Sequence, residues 1–459
     1  SHLSKRILIL FFMNPTLSLT KDPIPGLIKK IALPASVGTF FQTMFNVVDT
    51  FFAGKISPEA LSALAKSFPI YFIIIAACVG VTVGGTSLIA NSIGEANKEK
   101  VLGYFAHTII YAILVSIIIT IIGLVFSPSL FALMGSEQEV ISLSLQYTNV
   151  IFAGSIVFIM VVALNSLLHA DGNTKTYRNV LILSFFLNII LNPLFIFGFG
   201  FIPAMGISGI GVATIVAQFV GLLIIFYKTI KSSRIKNIST KYFYPKLYLL
   251  KNLLFQSAPI SAALLLISVG NFIILAYIGV FGEYATAGYG SAARFEQILL
   301  LPVLGLNTAI ISIIGQNFGA KNFLRVKESY FKAVMYGFTL MIISGLIIFL
   351  SADKIVSIFS DNPNVISFGT TYLKISALIF PAYPVFFISN GFFMAIKKSN
   401  YSMYLNIIRN VILFIPTIII TKMLDESFQT FFWSYCFFNW LYVLCLFAFV
   451  SAYIKRNLN

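Results

Sequence analysis

The chain of 459 residues is strongly apolar: 58% of its residues are hydrophobic, 10% are charged, and its mean hydropathy is +0.94. Soluble proteins carry about 25% charged residues, so the composition excludes an ordinary soluble domain. The net charge of +16 does not indicate a nucleic-acid partner, because the basic residues lie mostly in loops between apolar stretches.

Apolar stretches of about twenty residues, enough to cross roughly 30 Å of hydrocarbon, recur along the chain. We predict twelve membrane-spanning helices, near residues 31–54, 66–93, 102–127, 143–168, 179–200, 207–229, 253–280, 286–318, 329–351, 366–394, 403–423 and 428–452. The sequence therefore predicts an all-α integral membrane protein. The earlier apolar run at residues 7–12 is too short to span and has no small-residue cleavage site after it, so we do not predict a signal peptide.

The basic residues are unevenly distributed between alternate loops. If the N-terminus is cytoplasmic, most of the 31 Lys and Arg residues lie on the cytoplasmic side, including those of the basic stretch 228–251. The positive-inside rule therefore predicts that both termini are cytoplasmic, in agreement with an even number of spans.

A spacing of 225 residues recurs at Pro, Gly and Asn positions. The matching pairs include Pro34 and Pro259, Ser36 and Ser261, Gly54 and Gly279, Gly80 and Gly305, Gly94 and Gly319, Asn97 and Asn322, and Asn165 and Asn390. A single gap-free register over so many residues indicates a duplicated half.

The duplication and the basic stretch together predict four segments. These are an N-terminal cytoplasmic or interfacial segment (1–24), a first lobe with helices 1–6 (25–229), a cytoplasmic linker (230–251) and a second lobe with helices 7–12 (252–459). Six spans per lobe give both repeats the same orientation, so the two six-helix bundles are expected to be related by a pseudo-two-fold axis along the membrane normal.

Asp49 is one of only two acidic residues that fall clearly inside a predicted span. An ionised side chain at a helix centre costs on the order of 3 kcal/mol, so an acid in a span is a functional-site hypothesis. Pro34 lies fifteen residues earlier on the same helix and removes a backbone hydrogen bond, which makes it a candidate hinge. The alternatives for Asp49 are a carboxylate that reaches the outer interface and a structural hydrogen-bond partner.

Polar side chains in helices 5 and 6 are candidate partners of Asp49. Asn188 and Asn192 are four residues apart and share one helix face, as do Thr214 and Gln218. Oxygens around one carboxylate form a site for a proton or Na⁺. The alternative is ordinary hydrogen bonding between helices, worth about 0.6 kcal/mol per contact.

Glu296 in helix 8 is the other intramembrane acid, and Lys374 in helix 10 is predicted at a similar depth. Because an unpaired buried charge is costlier than a paired one, we predict an ion pair between them. Arg294 and Arg409 are the alternative partners of Glu296, and contact with a substrate is the alternative role.

An enzymatic function is not expected. No predicted span contains a paired nucleophile and base or a cluster of metal ligands. Cys78, Cys436 and Cys445 all fall within spans, at spacings that fit neither a metal site nor a disulfide framework.

Several motifs, in this order on a duplicated twelve-helix chain, resemble the multidrug and toxic compound extrusion (MATE) family. They are the spacing of Pro34 and Asp49, the loop Ser92-Ile93-Gly94-Glu95-Ala96-Asn97 with its repeat at 315–322, and the segment Asn188-Ile189-Ile190-Leu191-Asn192-Pro193. The segment Ala293-Arg294-Phe295-Glu296-Gln297 and the lone carboxylate of helix 1 are similar to the DinF-like prokaryotic branch of that family. The resemblance covers residues 25–452.

The resemblance implies a secondary active exporter of amphiphilic, often cationic compounds in a prokaryotic cytoplasmic membrane. It implies antiport with H⁺ or Na⁺ by alternating access, with Asp49 as the coupling carboxylate, Asn188 and Asn192 as helix-5 partners and Thr214 as the helix-6 hydroxyl. Related members carry a second Asp where this chain has Asn192, so we predict H⁺ as the coupling ion, with Na⁺ at Asp49 as the alternative. The NorM-like branch uses carboxylates in helices 7 and 10, but here helix 7 has none and helix 10 carries Lys374.

The implied partners are small amphiphilic cations and membrane lipids. No cofactor, resident metal or nucleic acid is expected, and the chain is expected to act as a monomer. The alternative function is that of a lipid-linked precursor flippase of the same larger superfamily, which would need a more basic central cavity for a pyrophosphate.

Overall fold

The computed structural model describes residues 17–133, 138–200, 202–236 and 238–458. The first sixteen residues of the predicted N-terminal segment therefore lie outside the described residues. The described chain is helical, apart from turns and one isolated antiparallel bridge between Phe199 and Ile202. The all-α prediction is confirmed.

The helices are numbered α1 to α16 in chain order. They are α1 Ile24–Ile56, α2 Pro58–Gly94, α3 Lys98–Leu133, α4 Gln138–Ala153, α5 Ser155–Ala170, α6 Thr174–Phe197, α7 Ile207–Ile230, α8 Leu247–Ile278, α9 Glu283–Leu299, α10 Leu301–Gly319, α11 Phe323–Ser357, α12 Pro363–Ile379, α13 Ala382–Ala395, α14 Ser399–Ile407, α15 Phe414–Leu424 and α16 Phe428–Asn457. A π-helical segment, Ile408–Ile412, joins α14 to α15.

In the described part of the chain, ten continuous helical stretches are long and apolar enough to cross a membrane. Two further pairs, α4 with α5 and α12 with α13, pass the same criterion together but are bent by 41° and 54°. Counting each bent pair as one span gives twelve, the predicted number. Several spans begin or end beyond the predicted bounds: α1, for example, begins at Ile24 rather than near residue 31.

The two bends correct the prediction of single straight helices over 143–168 and 366–394. The first bend lies at Gly154, between α4 and α5, where a Cβ would lie 2.3 Å from the Ile215 side chain, so only glycine fits the close packing there. The second lies at Phe380 and Pro381, between α12 and α13. Proline has no N–H to continue the helical hydrogen bonds, so the chain turns there.

The chain forms two compact units whose boundaries fall inside α1 and α8. Val37–Ser261 belongs to the first unit, whereas Leu19–Ser36 and the chain from Ala262 onward belong to the second. Each boundary follows a helix proline, Pro34 or Pro259, by two residues. The predicted lobes follow the sequence repeat and therefore differ from these units in two places. Residues 24–36 of α1 belong to the second unit, and residues 247–261 of α8 belong to the first.

A close helix contact recurs in each unit at repeat-related positions. In the first unit, Ser261 of α8 donates to the carbonyl of Ala76 on α2 at 2.9 Å, and Gly80 leaves space for the serine. In the second unit, Ser36 of α1 lies against Gly305 of α10. Glycine permits this close approach because it has no Cβ. The 225-residue pairing of Ser and Gly therefore corresponds to the same helix crossing.

The predicted linker packs against the first unit. Arg234 forms an ion pair with Asp171 at 2.7 Å, and Ile235 is buried. At the end of the linker, the backbone N–H of Lys246 donates to Nε2 of His107 on α3 at 2.8 Å. The segment between α7 and α8 is thus held in place by charged, apolar and backbone contacts.

Candidate functional site

Asp49 lies inside the first unit with its carboxylate hydrogen-bonded to three side chains. Its Oδ1 accepts from Nδ2 of Asn188 at 2.9 Å and from Nδ2 of Asn192 at 3.0 Å. Its Oδ2 accepts from the hydroxyl of Thr214 at 3.1 Å. The Asp49 residue is only 4% exposed. The structure therefore brings together all four residues that the sequence nominated for this site.

Helix periodicity positions these partners. Asn188 and Asn192 are one turn apart on α6, so their side chains present the same face to α1. Thr214 lies on α7 beside small buried residues, including Gly211, which allow close packing against the neighbouring helices. Gln218, which shares the predicted face of Thr214, forms no hydrogen bond with Asp49 in the described structure.

The two amides leave unsatisfied oxygens next to the carboxylate. A carboxylate accepts hydrogen bonds but cannot donate them, so each amide turns its NH₂ group toward Asp49. The Oδ1 atoms of Asn188 and Asn192 are buried and have no hydrogen-bond partner among the described residues. Buried polar atoms are nearly always paired, so two such oxygens beside a negative charge favour binding of a cation or a proton.

Pro34, the candidate hinge, lies within α1 without interrupting the helix. It is close to the point where α1 passes from the second unit into the first. The structure therefore places Pro34 and Asp49 in different units, although one helix carries both.

The second intramembrane acid, Glu296 on α9, lies in the second unit and has hydroxyl partners. Its carboxylate accepts hydrogen bonds from Tyr372, from Tyr383 and, at 2.8 Å, from Ser376. Three donors satisfy the carboxylate without a cation, which explains how the chain tolerates this buried acid.

The predicted ion pair between Glu296 and Lys374 is wrong. Lys374 is exposed and forms no ion pair in the described part of the chain. Tyr372 and Ser376 are one turn apart and face Glu296, so Lys374, halfway between them, lies on the opposite face of α12. The membrane depth predicted from the sequence does not show which face of a helix a side chain takes. The i, i+4 spacing of the Tyr372 and Ser376 hydroxyls could have identified the face toward Glu296.

The alternative cationic partners also make no ion pair with Glu296. Arg294 is exposed on α9, whereas Arg409 is buried in the π-helical segment. The Arg409 guanidinium lies over the ring of Tyr383, at 4.9 Å from the ring centroid. Tyr383 therefore contacts both charges, its hydroxyl meeting Glu296 and its ring meeting Arg409.

No group of three or more His, Cys, Asp or Glu side chains that could hold a metal ion occurs among the residues that the structure describes.

Twelve apolar spans, built from two repeats and enclosing a buried carboxylate, are typical of a multi-pass membrane transporter. The MatE family model matches residues 34–194 and 259–420, one segment in each repeat. The chain belongs to the MATE family, whose members are transporters and not enzymes.

Individual relatives agree with this assignment. The chain is 29% identical over 368 residues to a protein of Thermotoga maritima named probable multidrug resistance protein NorM, with 78% of each chain covered. It is 24% identical to a protein of Shewanella oneidensis named FAD transporter, covering 89% of this chain and 90% of the relative. It also shares the fold of a MOP superfamily transporter from Pyrococcus furiosus, with a TM-score of 0.89, 24% identity and coverage of 96% and 98%.

Proposed function

We propose that this protein is a secondary active multidrug exporter of a prokaryotic cytoplasmic membrane, which exchanges amphiphilic, often cationic compounds for an inward-moving cation by alternating access. Family membership supports export, and the Thermotoga maritima relative is named as a multidrug resistance protein. The predicted topology, with cytoplasmic termini and a pseudo-two-fold axis, belongs to this proposal, as does action as a monomer among membrane lipids.

The observation that carries the coupling proposal is the pair of unsatisfied amide oxygens beside Asp49. With the carboxylate charged, three donors face it, and the Oδ1 atoms of Asn188 and Asn192 have no partner in the part of the chain that the structure describes. A proton on Asp49 makes the carboxyl group a donor, and the unsatisfied oxygen of either amide can accept this hydrogen bond if the amide rotates. Binding therefore changes the contact between α1 and α6, and Pro34 is the candidate hinge that accommodates the change.

The coupling ion proposed is H⁺ rather than Na⁺. Na⁺ is a hard cation that prefers several charged or carbonyl oxygens, and Asn192 leaves the site with a single carboxylate. A pH difference of one unit supplies about 1.4 kcal/mol per proton, which is enough for about a tenfold concentration of a substrate in a one-for-one exchange.

Purified protein in liposomes, with pH and Na⁺ gradients imposed separately, tests the coupling. We expect transport of a cationic dye to follow an imposed pH gradient at constant Na⁺. Transport driven by a Na⁺ gradient at clamped pH, with no response to a pH gradient, would assign Na⁺ as the coupling ion. Failure to transport small dyes under either gradient would favour the flippase alternative, in which the substrate is a lipid-linked pyrophosphate.

A further inference from the structure

Arg409 lies at an irregular point of a spanning helix in the second unit. The five residues Ile408–Ile412 form a π-helical turn between α14 and α15. Gly270 of α8 lies directly against the backbone of Asn410 in this turn. Single π-helical turns occur frequently at functional sites, because the wider turn reorients side chains and frees backbone groups.

The Arg409 guanidinium is buried between aromatic rings and has few hydrogen bonds. The residue is 8% exposed, and its guanidinium lies 4.9 Å from the ring centroid of Tyr383 and 4.4 Å from that of Phe386. Its one hydrogen bond within the described chain is a long one, from Nε to Oδ1 of Asn439 at 3.4 Å. A guanidinium offers five N–H donors. Nε uses one of them, so the four N–H groups of the two terminal nitrogens have no acceptor among the described residues.

Glu296 does not supply the missing negative partner. Its carboxylate already accepts from Tyr372, Ser376 and Tyr383. Tyr383 orients its hydroxyl toward Glu296 and presents its ring to Arg409, so the carboxylate holds the aromatic surface on which the guanidinium stacks. The cation is thus positioned but not neutralised by direct contact, an arrangement that is costly in a membrane unless a ligand completes it.

We propose that Arg409 binds the carboxylate of amphiphilic substrates. This inference rests on the proposed export function and specifies its substrate class: compounds that carry a carboxylate, including zwitterions. The planar guanidinium matches a carboxylate through two parallel N–H···O bonds, and one unpaired positive charge balances one carboxylate. The Tyr383 and Phe386 rings fix the plane of the guanidinium and offer apolar surface to the rest of the substrate.

A matched pair of dyes tests this proposal on the full-length purified protein. Rhodamine B carries a free carboxylate, whereas its ethyl ester has the same ring system and a net positive charge. Fluorescence anisotropy titrations give the dissociation constant of each dye. We expect the acid to bind about tenfold more tightly than the ester, as a charge-assisted hydrogen-bonded pair allows.

Substitutions separate recognition by Arg409 from a structural role. Arg409→Gln should abolish the preference for the acid and leave the affinity for the ester unchanged. Arg409→Lys should keep part of the preference, because it retains the charge but loses the planar fork. Lys354→Gln, which removes an exposed cation of the same unit, is the control and should bind both dyes as the wild type does.

Each outcome decides between the proposals. Equal binding of acid and ester by the wild type, or an unchanged preference in Arg409→Gln, contradicts the carboxylate site while leaving export standing. If neither dye binds, both the carboxylate site and the proposed export of amphiphilic compounds are contradicted. If Arg409→Gln does not purify as a folded protein, Arg409→Lys decides: a reduced preference supports the site, and an unchanged preference contradicts it.

Discussion

Asp49 and Glu296 are both buried carboxylates on spanning helices, but their partners differ in kind. Hydroxyl groups donate to Glu296 and leave it satisfied. Amides donate to Asp49, and their two oxygens have no partners among the residues that the structure describes. A hydroxyl changes from donor to acceptor by rotating one hydrogen, whereas an amide must turn as a rigid group to offer its oxygen. This difference distinguishes the proposed coupling site from a site that is already complete.

A double-mutant cycle tests the hydrogen-bond network of Glu296. Glu296→Gln should lower the unfolding free energy by about 2 kcal/mol, because hydrogen bonds to a charged acceptor are replaced by weaker ones. Lys374→Gln should change it little, and the pair should be additive, because Lys374 lies on another face. Tyr383→Phe should instead be non-additive with Glu296→Gln. Unfolding curves in denaturing detergent measure these values. Strong coupling between Glu296 and Lys374 would support the ion pair that the sequence predicted.

The sequence predicted the Asp49 residues because polar groups are rare in spans and fall at helical spacing. Asn188, Asn192 and Thr214 stood out for that reason. The partners of Glu296 did not, since tyrosines are common on lipid-facing helices, and only the i, i+4 spacing of Tyr372 and Ser376 indicated a shared polar face. Arg409 was recognised only as an alternative partner of Glu296, because a π-helical turn changes which face a side chain takes.

At the scale of elements, α1 and α8 each pass from one compact unit to the other within a continuous helix. The crossing in the second unit depends on Gly305, where a Cβ would lie 2.5 Å from the carbonyl oxygen of Ala32. At Gly290, no atom of the described residues lies within 4 Å of an added Cβ. Close packing therefore requires a glycine at position 305 but not at position 290.

Substitution of these glycines by alanine should have opposite effects. Alanine favours a helix by about 1 kcal/mol over glycine, so Gly290→Ala should raise the apparent melting temperature slightly. Gly305→Ala should lower it by several degrees, because the backbone contact with Ala32 must open. Thermal unfolding monitored by intrinsic fluorescence gives both values. An increase for Gly305→Ala would show that the crossing tolerates a side chain.

The linker offers a prediction that depends on pH. Burial raises the pKa of Asp171, and the Arg234 guanidinium opposes that rise. Because the folded pKa of Asp171 is raised, its burial costs stability as pH rises and the carboxylate becomes charged. The ion pair with Arg234 offsets that cost only while Asp171 is charged. Removal of Arg234 should therefore destabilise the protein most at the higher pH. Arg234→Gln should cost about 0.5 kcal/mol near pH 7, a value typical of a partly exposed pair, and less near pH 4.

The control for this prediction is Asp171→Asn, in which the charge is absent. In that background Arg234→Gln should have little effect at either pH. Melting temperatures at the two pH values measure the difference. A loss that is the same at both pH values would mean that Arg234 acts through packing and not through the carboxylate.

At the scale of the whole molecule, apolar length and the 225-residue register were sufficient to predict twelve spans and a duplicated fold. They were insufficient to show the bends at Gly154 and at Pro381, because hydropathy reports burial in lipid and not the direction of the helix axis. Nor could they assign the first parts of α1 and α8 to a compact unit, since that depends on contacts between helices distant in sequence.

Asp49 is proposed to couple transport to an inward cation, and transport by matched variants in liposomes tests this role. Asp49→Asn and the matched control Asp353→Asn, which neutralises an exposed acid, are reconstituted into liposomes and given the same pH gradient. Both variants should fold and insert, because asparagine retains the shape of aspartate. Asp353→Asn should accumulate dye as the wild type does, and Asp49→Asn should show no accumulation above equilibration. Gradient-driven accumulation by Asp49→Asn at the wild-type level would exclude Asp49 as the coupling residue.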